Sequence, residues 1–214
     1  MKTLIHISAV LVFNVLFSSL AAASVIDFDD MSFPGGNPTA ASYPPAGYQG
    51  FDFGGGKGDF SWVISPNDAT GWYGGTKQPY SHSGNNFAWN AGGTDLELTV
   101  HGGGTFDLAS FWVRSWPAAS FNATAHGYLN GSEVFTQAFS TSDTYAQITT
   151  NFTHIDRFTF TPEFPRSFLI DDISIDNIVV AVPEPESYML IVVGLTAMMA
   201  ASRLTPFPLS KAVS

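Results

Sequence analysis

The sequence predicts an all-β central domain, an antiparallel β-sandwich of jelly-roll type. Short runs of alternating or β-branched residues recur between glycine-rich breaks, and no part of the central region has a sustained helical period. Many short strands separated by turn signals are typical of sandwiches and barrels. The 214 residues include no cysteine, so the core must be held by burial, with a bound metal as the other candidate.

The strand predictions follow the chain. Val25–Asp29 alternates and opens the domain, and Leu96–Val100 alternates again. Later runs rich in β-branched and aromatic residues predict further strands at Phe111–Val113, Ile155–Phe160 and Phe168–Ile175. Glycine clusters are expected to separate strands at 54–56, 92–93 and 102–104.

The clearest local signal is the dipeptide Asn130-Gly131, which suits positive φ at both central positions of a tight turn. It lies between the strand-like runs Phe121–Leu129 and Ser132–Phe139. The sequence therefore predicts a hairpin with a two-residue loop at this point.

The amino terminus predicts a signal peptide over residues 1–23. Met1–Thr3 carries the positive charge, Leu4–Leu20 is apolar, and Ala21–Ala23 supplies the small residues that signal peptidase accepts. We expect cleavage after Ala23, which makes residues 24–181 an exported domain.

The carboxyl terminus predicts a single hydrophobic helix behind a stiff linker. Pro183 and Pro185 cannot lie inside a helix, whereas Tyr188–Ala201 is apolar enough to enter a membrane. Arg203 follows the apolar run. We assign residues 182–204 to this segment, with a transmembrane helix, and residues 205–214 to a short tail.

This order of parts resembles the PEP-CTERM sorting signal of Gram-negative bacteria that carry an exosortase. The matching residues are Val182, Pro183, Glu184, Pro185, Gly194, Leu195 and Arg203. The resemblance implies an exosortase-like processing enzyme as partner, transient anchoring in the inner membrane through the helix, and final delivery to the cell surface or extracellular matrix. Members usually end in an arginine cluster, whereas Arg203 is single here, so tail cleavage stays open, with a plain tail anchor as alternative.

Part of the central domain also resembles a sandwich domain that often precedes this sorting signal. The matching pieces are Phe28–Asp30, Phe106–Leu108, Gly127–Gly131, Ile155–Phe158 and Phe168–Ile173. Domains of this type are similar in architecture to carbohydrate-binding modules. The resemblance implies a fold, and a function has to come from the site.

Charge narrows the class of partner. The chain has 8 Lys and Arg against 18 Asp and Glu, for a formal net charge of −10. An acidic surface repels phosphate backbones and anionic headgroups, which excludes nucleic acid as an expected partner. Neutral glycans and divalent cations are better candidates.

A structural Ca²⁺ is the first candidate ligand. The two-residue period of a strand would place Leu169, Asp171, Ile173 and Ile175 on one inward face, where a carboxylate needs a partner. First and last strands often lie side by side in a jelly roll, and several oxygen ligands without cysteine favour a hard ion. The predicted ligands are Asp29, Asp30, Asp171 and Asp172. The alternative is that Asp171 accepts backbone N–H groups.

A glycan site is the second candidate. The segment Ser65–Asn90 is rich in aromatic and amide side chains, which can stack on sugar rings and hydrogen-bond to them. The predicted contacts are Trp72, Tyr73, Tyr80, Asn86 and Trp89. Trp112, Arg114 and Trp116 form a second, smaller cluster. The alternative is that these aromatic residues are core or loop anchors.

No motif for catalysis is present: the histidines lack metal-binding spacing, and no serine lies in a nucleophile elbow. We therefore expect a non-enzymatic exported surface or matrix protein that binds exopolysaccharide. A purely structural matrix or adhesion component and a secreted glycoside hydrolase or other hydrolase are the alternatives.

Overall fold

The computed structural model describes residues 23–33, 42–55, 62–67, 80–90, 93–116, 120–181 and 194. The signal peptide up to residue 22, the sorting residues other than Gly194, and the tail lie outside this part. The chain divides into two compact units, Met1–Val180 and Ala181–Ser214. In the second unit Gly194 is helical and exposed. Within the described residues, no helix has the length and apolar character needed to span a bilayer.

The described residues of the first unit form eleven strands. In chain order they are β1 (Ser24–Ile26), β2 (Phe51–Gly55), β3 (Val63–Pro66), β4 (Asn86–Trp89), β5 (Leu96–Val100), β6 (Gly104–Trp116), β7 (Phe121–Leu129), β8 (Ser132–Thr141), β9 (Ala146–Ile155), β10 (Arg157–Pro162) and β11 (Ser167–Val180).

The strands form two antiparallel sheets. The six-stranded sheet has the order β3-β4-β11-β6-β9, and β1 pairs with β11 beside that path. The five-stranded sheet has the order β2-β5-β10-β7-β8. Side chains from both sheets join one buried apolar cluster, as expected for two sheets packed face to face. The predicted antiparallel β-sandwich is therefore confirmed, while its jelly-roll type stays a prediction.

Phenylalanine supplies much of the core. Phe160 of the five-stranded sheet stacks on Phe168 of the six-stranded sheet with ring centroids 4.0 Å apart. Phe51 meets Phe106 edge to face at 5.3 Å, again across the two sheets. Each such ring removes about 150–250 Å² from water. Aromatic burial between the sheets is how this cysteine-free domain forms a core.

Three further predictions are confirmed. Asn130 and Gly131 have φ values of 52° and 77° and connect β7 to β8, which is the predicted two-residue hairpin. The first and last strands lie side by side, since Ser24–Ile26 pairs with Ile175, Ser174 and Ile173. The turn at Gly102 and Gly103 also separates β5 from β6, as predicted.

The predicted common face of the last strand is wrong. Leu169 belongs to an apolar cluster separate from the main core, and Asp171 pairs with Trp112 on that same outer side. Ile173 and Ile175 instead lie in the core between the sheets. The pairing of β11 with β6 shifts register between Asp171 and Ser174, and Asp172 has a φ of 44°. This bulge reverses the alternation, because an extra residue turns the following side chains to the opposite face.

Four strands were not predicted: β2, β3, β4 and β9. The predicted break at 54–56 is wrong at its start, because Gly54 and Gly55 lie inside β2 and pair with Glu97 and Leu96. Glycine weakens a strand but does not exclude it where neighbouring side chains pack.

Candidate functional site

An aromatic cluster covers part of the outer surface of the six-stranded sheet. Along β6 the side chains of Phe111, Val113 and Ser115 are buried, and the residues between them, Trp112, Arg114 and Trp116, are half-buried. Strand alternation puts these last three side chains on the outer side. They meet Tyr145, which precedes β9, and a loop that runs from Tyr80 to β4. We call the set Tyr80, His82, Trp112, Arg114, Trp116 and Tyr145 the aromatic face.

The loop adds two rings to the rings from β6. The imidazole of His82 stacks on Trp112 with centroids 3.7 Å apart and an interplanar angle of 15°. Tyr80 meets Trp116 edge to face at 4.7 Å. The hydroxyl of Tyr145 donates a hydrogen bond of 2.7 Å to the carbonyl of Tyr80. The structure therefore joins the two aromatic clusters that the sequence presents separately.

Arg114 brings positive charge to this surface. Its guanidinium carbon lies 5.8 Å from the centroid of the Tyr145 ring, within the range of a cation–π contact. Its Nε is buried and has no hydrogen-bond partner among the residues that the structure describes. Burial, followed by the negative charge of Asp171, raises the pKa of Tyr145 above its ordinary value, so that this hydroxyl stays a donor.

Below the aromatic face lies a small apolar cluster of Val63, Phe87, Trp89 and Leu169, against which Tyr80, Trp116 and Tyr145 pack. Trp89 is only 5% exposed, and its indole N–H donates to Ser65 Oγ at 3.1 Å. In this arrangement Trp89 offers no free ring face to a ligand. It supports the exposed rings above it.

Asp171 fastens the loop from below. This carboxyl is fully buried, and its Oδ2 accepts the backbone N–H groups of His82 at 2.8 Å and Ser83 at 3.3 Å. Its Oδ1 accepts the N–H of Asp172 at 2.9 Å. Burial, followed by the charge of Asp172, raises the pKa of Asp171 to about 8, against the effect of the three N–H donors.

Asp172 holds the same loop through side chains. One oxygen lies 2.5 Å from Nδ1 of His82, and the other accepts the hydroxyl of Ser83 at 2.8 Å. Asp172 therefore fixes the imidazole ring that stacks on Trp112. The positive φ at the β11 bulge is what lets the adjacent carboxylates, Asp171 and Asp172, reach one loop.

Asp29 holds the far end of the loop. It accepts the backbone N–H groups of Asn85 at 2.7 Å and Asn86 at 2.9 Å. Gly84 has a φ of 53°, and a Cβ there would lie 1.5 Å from Asp29 Oδ2. Glycine is required at this point, because the carboxylate occupies the space of a side chain. Asp30 instead hydrogen-bonds to the hydroxyl of Tyr48.

The four predicted calcium ligands thus have protein partners, with Asp171 arranged as in the stated alternative. Across the described segments, no group of three or more His, Asp or Glu side chains is arranged to hold a metal ion. The calcium site stays a prediction.

The predicted sugar contacts lie in different parts of the structure. Tyr80 lies in the aromatic face, and Trp72 and Tyr73 lie outside the described residues. Asn86 is 4% exposed, and its side-chain amide donates to the carbonyls of Phe28 and Met31. His82 lies in the predicted segment Ser65–Asn90, whereas Tyr145 was missed. The spacing of Trp112, Arg114 and Trp116, which alternates along one strand, was the signal for the surface that they join.

The outer surface of the five-stranded sheet is different in character. Asp52, Thr99, Arg157, Tyr128 and Glu133 follow one another across the strands as paired neighbours. The Arg157 guanidinium lies 4.0 Å from the Tyr128 ring centroid. A shallow groove of about 660 Å³ lies at one end of this surface, beside the Asn130-Gly131 turn. We call this surface the polar face.

No protein-family model matches the sequence, and no curated protein matches it either. Solved structures do match. One is a mutant of a family 29 carbohydrate-binding module, with 14% identity and a TM-score of 0.41 over 73% of this chain and 92% of the other. Another is a cleaved adhesin domain of Lys-gingipain from Porphyromonas gingivalis, with 17% identity and a TM-score of 0.43 over 71% and 97%. What this chain binds has to be inferred from its own residues.

Proposed function

We propose that this protein is a non-enzymatic, exported β-sandwich protein that binds exopolysaccharide through its aromatic face. The observation that supports this most is the clustering of half-buried rings around one cation. Trp112 and Trp116 come from β6, His82 is held against Trp112, and Arg114 lies beside Tyr145. Aromatic rings contact the C–H faces of sugars, and hydroxyl, imidazole and guanidinium groups nearby supply directional hydrogen bonds.

Preorganisation supports the same proposal. The loop is fixed by Asp29, Asp171 and Asp172 before any ligand arrives. A surface that is already ordered loses less conformational entropy on binding than a mobile one. These three carboxylates are therefore best explained as supports for the rings of the aromatic face.

Delivery of the protein is a second part of the proposal. The signal peptide would direct export, and the segment 182–204 would be recognised by an exosortase-like enzyme before release to the cell surface or matrix. Mass spectrometry of the mature protein tests this part. We expect a chain that begins at Ser24 and ends before Tyr188, and an intact tail beyond Ser187 would contradict processing.

Binding is tested by affinity electrophoresis of the domain in gels that contain soluble polysaccharides, both neutral and acidic. We expect retardation by at least one polymer, and Trp112→Ala should weaken it about tenfold, the loss of a ring contact worth about 1.5 kcal/mol. The matched control is Tyr128→Ala on the polar face, which should bind as wild type. Near-ultraviolet circular dichroism confirms that each variant is folded.

Two outcomes would overturn this proposal. If no polymer retards the wild-type domain, the purely structural matrix or adhesion role becomes the better explanation. If Tyr128→Ala abolishes binding and Trp112→Ala does not, the site lies on the polar face. Chain shortening of the polymer by the purified domain would favour the hydrolase alternative.

A further inference from the structure

The charge balance of the aromatic face points to one class of glycan. Arg114 is among few basic residues in an acidic protein. Among the residues that the structure describes, it forms no ion pair with a carboxylate, whereas His82, His101, His126 and Arg157 each lie within 3.4 Å of one. A guanidinium usually has a carboxylate partner where one is near, because the bidentate pair is strong and geometrically matched.

The nearest carboxylates on this face are already engaged. Asp171 accepts three backbone N–H groups, and Asp172 is bonded to His82 and Ser83. Neither is free to neutralise Arg114. The three N–H groups that point at Asp171 also offset its negative charge, which lowers the repulsion that an anion would meet here.

The surroundings of Arg114 suit a sugar carboxylate. Tyr145 and the two β6 indoles flank the guanidinium on the same sheet surface, with Tyr145 at 5.8 Å. A planar guanidinium binds a planar carboxylate through two parallel hydrogen bonds, and aromatic neighbours bind the ring that carries it. A neutral glycan would use the rings and leave the cation without a partner.

We propose that the aromatic face recognises an acidic polysaccharide, with Arg114 binding the carboxylate of a uronic acid residue while the surrounding rings contact its sugar ring. This inference rests on the proposed function, because it specifies the ligand class of the same surface. It also runs against the first expectation from net charge, since a protein with a charge of −10 repels polyanions at long range. The attraction is therefore local, at one cation.

The test uses a matched pair of polymers, polygalacturonate and the same polymer with its carboxyl groups chemically reduced to alcohols. Isothermal titration calorimetry with wild-type domain is expected to give at least tenfold tighter binding to polygalacturonate, the usual range for a hydrogen-bonded charge. Arg114→Gln should bind both polymers equally, with the affinity of wild type for the reduced polymer. Arg114→Lys should keep part of the preference.

Controls separate this inference from the function on which it rests. Arg157→Gln removes the cation of the polar face and should leave the preference unchanged. If wild type binds both polymers equally, the acid preference is wrong and glycan binding stands. If it binds neither of them nor any polymer of the electrophoresis panel, the proposed function also fails. If the domain binds dextran sulfate but does not bind polygalacturonate, the assignment of a carboxylate ligand to Arg114 is wrong. Should Arg114→Gln fail to fold, the wild-type comparison and Arg114→Lys still decide.

Discussion

The two outer surfaces of the sandwich carry different arrangements of the same kinds of side chain. On the polar face the cation of Arg157 lies 3.4 Å from Glu97, and the pairs His101–Asp52 and His126–Glu133 lie at 2.8 and 2.9 Å. On the aromatic face the carboxylates of Asp171 and Asp172 bind a loop, and Arg114 lies beside the Tyr145 ring with no carboxylate partner among the described residues.

Under the proposed function, this difference explains why a ligand would bind the aromatic face. Charges that are neutralised in pairs at the surface contribute little to stability and keep a sheet face soluble. Charges that are withheld from pairing, within a rigid group of rings, are available to a ligand. The experiments below compare matched residues of the two faces, beginning with the change that should cost most.

Asp171→Ala should lower the free energy of unfolding by about 2–3 kcal/mol, because the N–H groups of His82 and Ser83 lose a buried acceptor. Urea denaturation followed by tryptophan fluorescence measures this. The matched control, Asp52→Ala, removes a carboxylate that is 43% exposed on the polar face and should change stability by less than about 0.5 kcal/mol. Equal losses of unfolding free energy in the two variants would mean that the buried hydrogen bonds of Asp171 do not stabilise the loop.

The pH dependence of stability should carry the signature of Asp171. Its folded pKa of about 8 exceeds the ordinary 3.8, so the folded state holds a proton in this window that the unfolded chain has lost. This contribution to stability is complete below pH 3.8 and disappears as the pH rises to about 8. The slope is at most about 1.4 kcal/mol per pH unit.

Asp171→Asn replaces the titrating carboxyl with an amide that does not titrate, so wild type should lose stability relative to the variant as the pH rises. Chemical denaturation of both proteins at several pH values measures the difference. Asp172, His82 and Tyr145 lie near the carboxyl and are present in both proteins. A wild type that gains stability relative to the variant would show that the three N–H donors keep Asp171 ionised.

His82→Ala should cost about 1 kcal/mol of stability, because it removes the stack on Trp112 and the contact with Asp172 while the backbone bonds to Asp171 remain. Glycan affinity should fall with it in the electrophoresis assay. His126→Ala on the polar face is the comparison, and we expect unchanged binding there. If His82→Ala binds glycan as tightly as wild type, the imidazole of His82 is not part of the binding site.

The smallest effect is expected for His101→Ala. Its hydrogen bond to Asp52 lowers the pKa of that carboxyl, with the N–H of Gly47 as the second cause, but the histidine side chain is 56% exposed. The stabilisation is present above the ordinary pKa of an aspartate and is lost as the pH falls. Differential scanning fluorimetry should show a small loss of stability at neutral pH that disappears in acid, so the variant is slightly less acid-sensitive than wild type. A loss of stability as large as that expected for Asp171→Ala would show that the polar face also stabilises the fold.

The sequence predicted the parts of the fold that depend on local patterns. Alternation gave β5 with its bounds, and Asn130-Gly131 gave the hairpin, because both depend on neighbours in the chain. The face reversal in β11 could not be predicted, since the bulge at Asp172 is set by pairing with β6. For β2, Gly54 and Gly55 indicated a break, but pairing with β5 overrides that preference.

The sequence indicated several residues of the candidate site but not the contacts that bring them together. Tyr80 and the Trp112, Arg114 and Trp116 spacing are visible in the sequence, whereas their contact depends on Asp171 meeting His82 from 89 residues away. Trp89 looks like a ligand contact in sequence because an indole serves equally well in a core. Its burial follows from the pairing of β4 with β3 and β11, which places Val63 and Leu169 beside it.

The span between His82 and Asp171 also has a consequence for biogenesis. Closure of so long a segment is slow, because its entropy cost comes before the contacts that repay it. A chain that is synthesised from its amino end exposes the rings of the aromatic face before β11 is present to hold the loop. The aromatic face is therefore completed only when β11 is in place, and a chain truncated before Ser167 would lack the carboxylates that hold its loop.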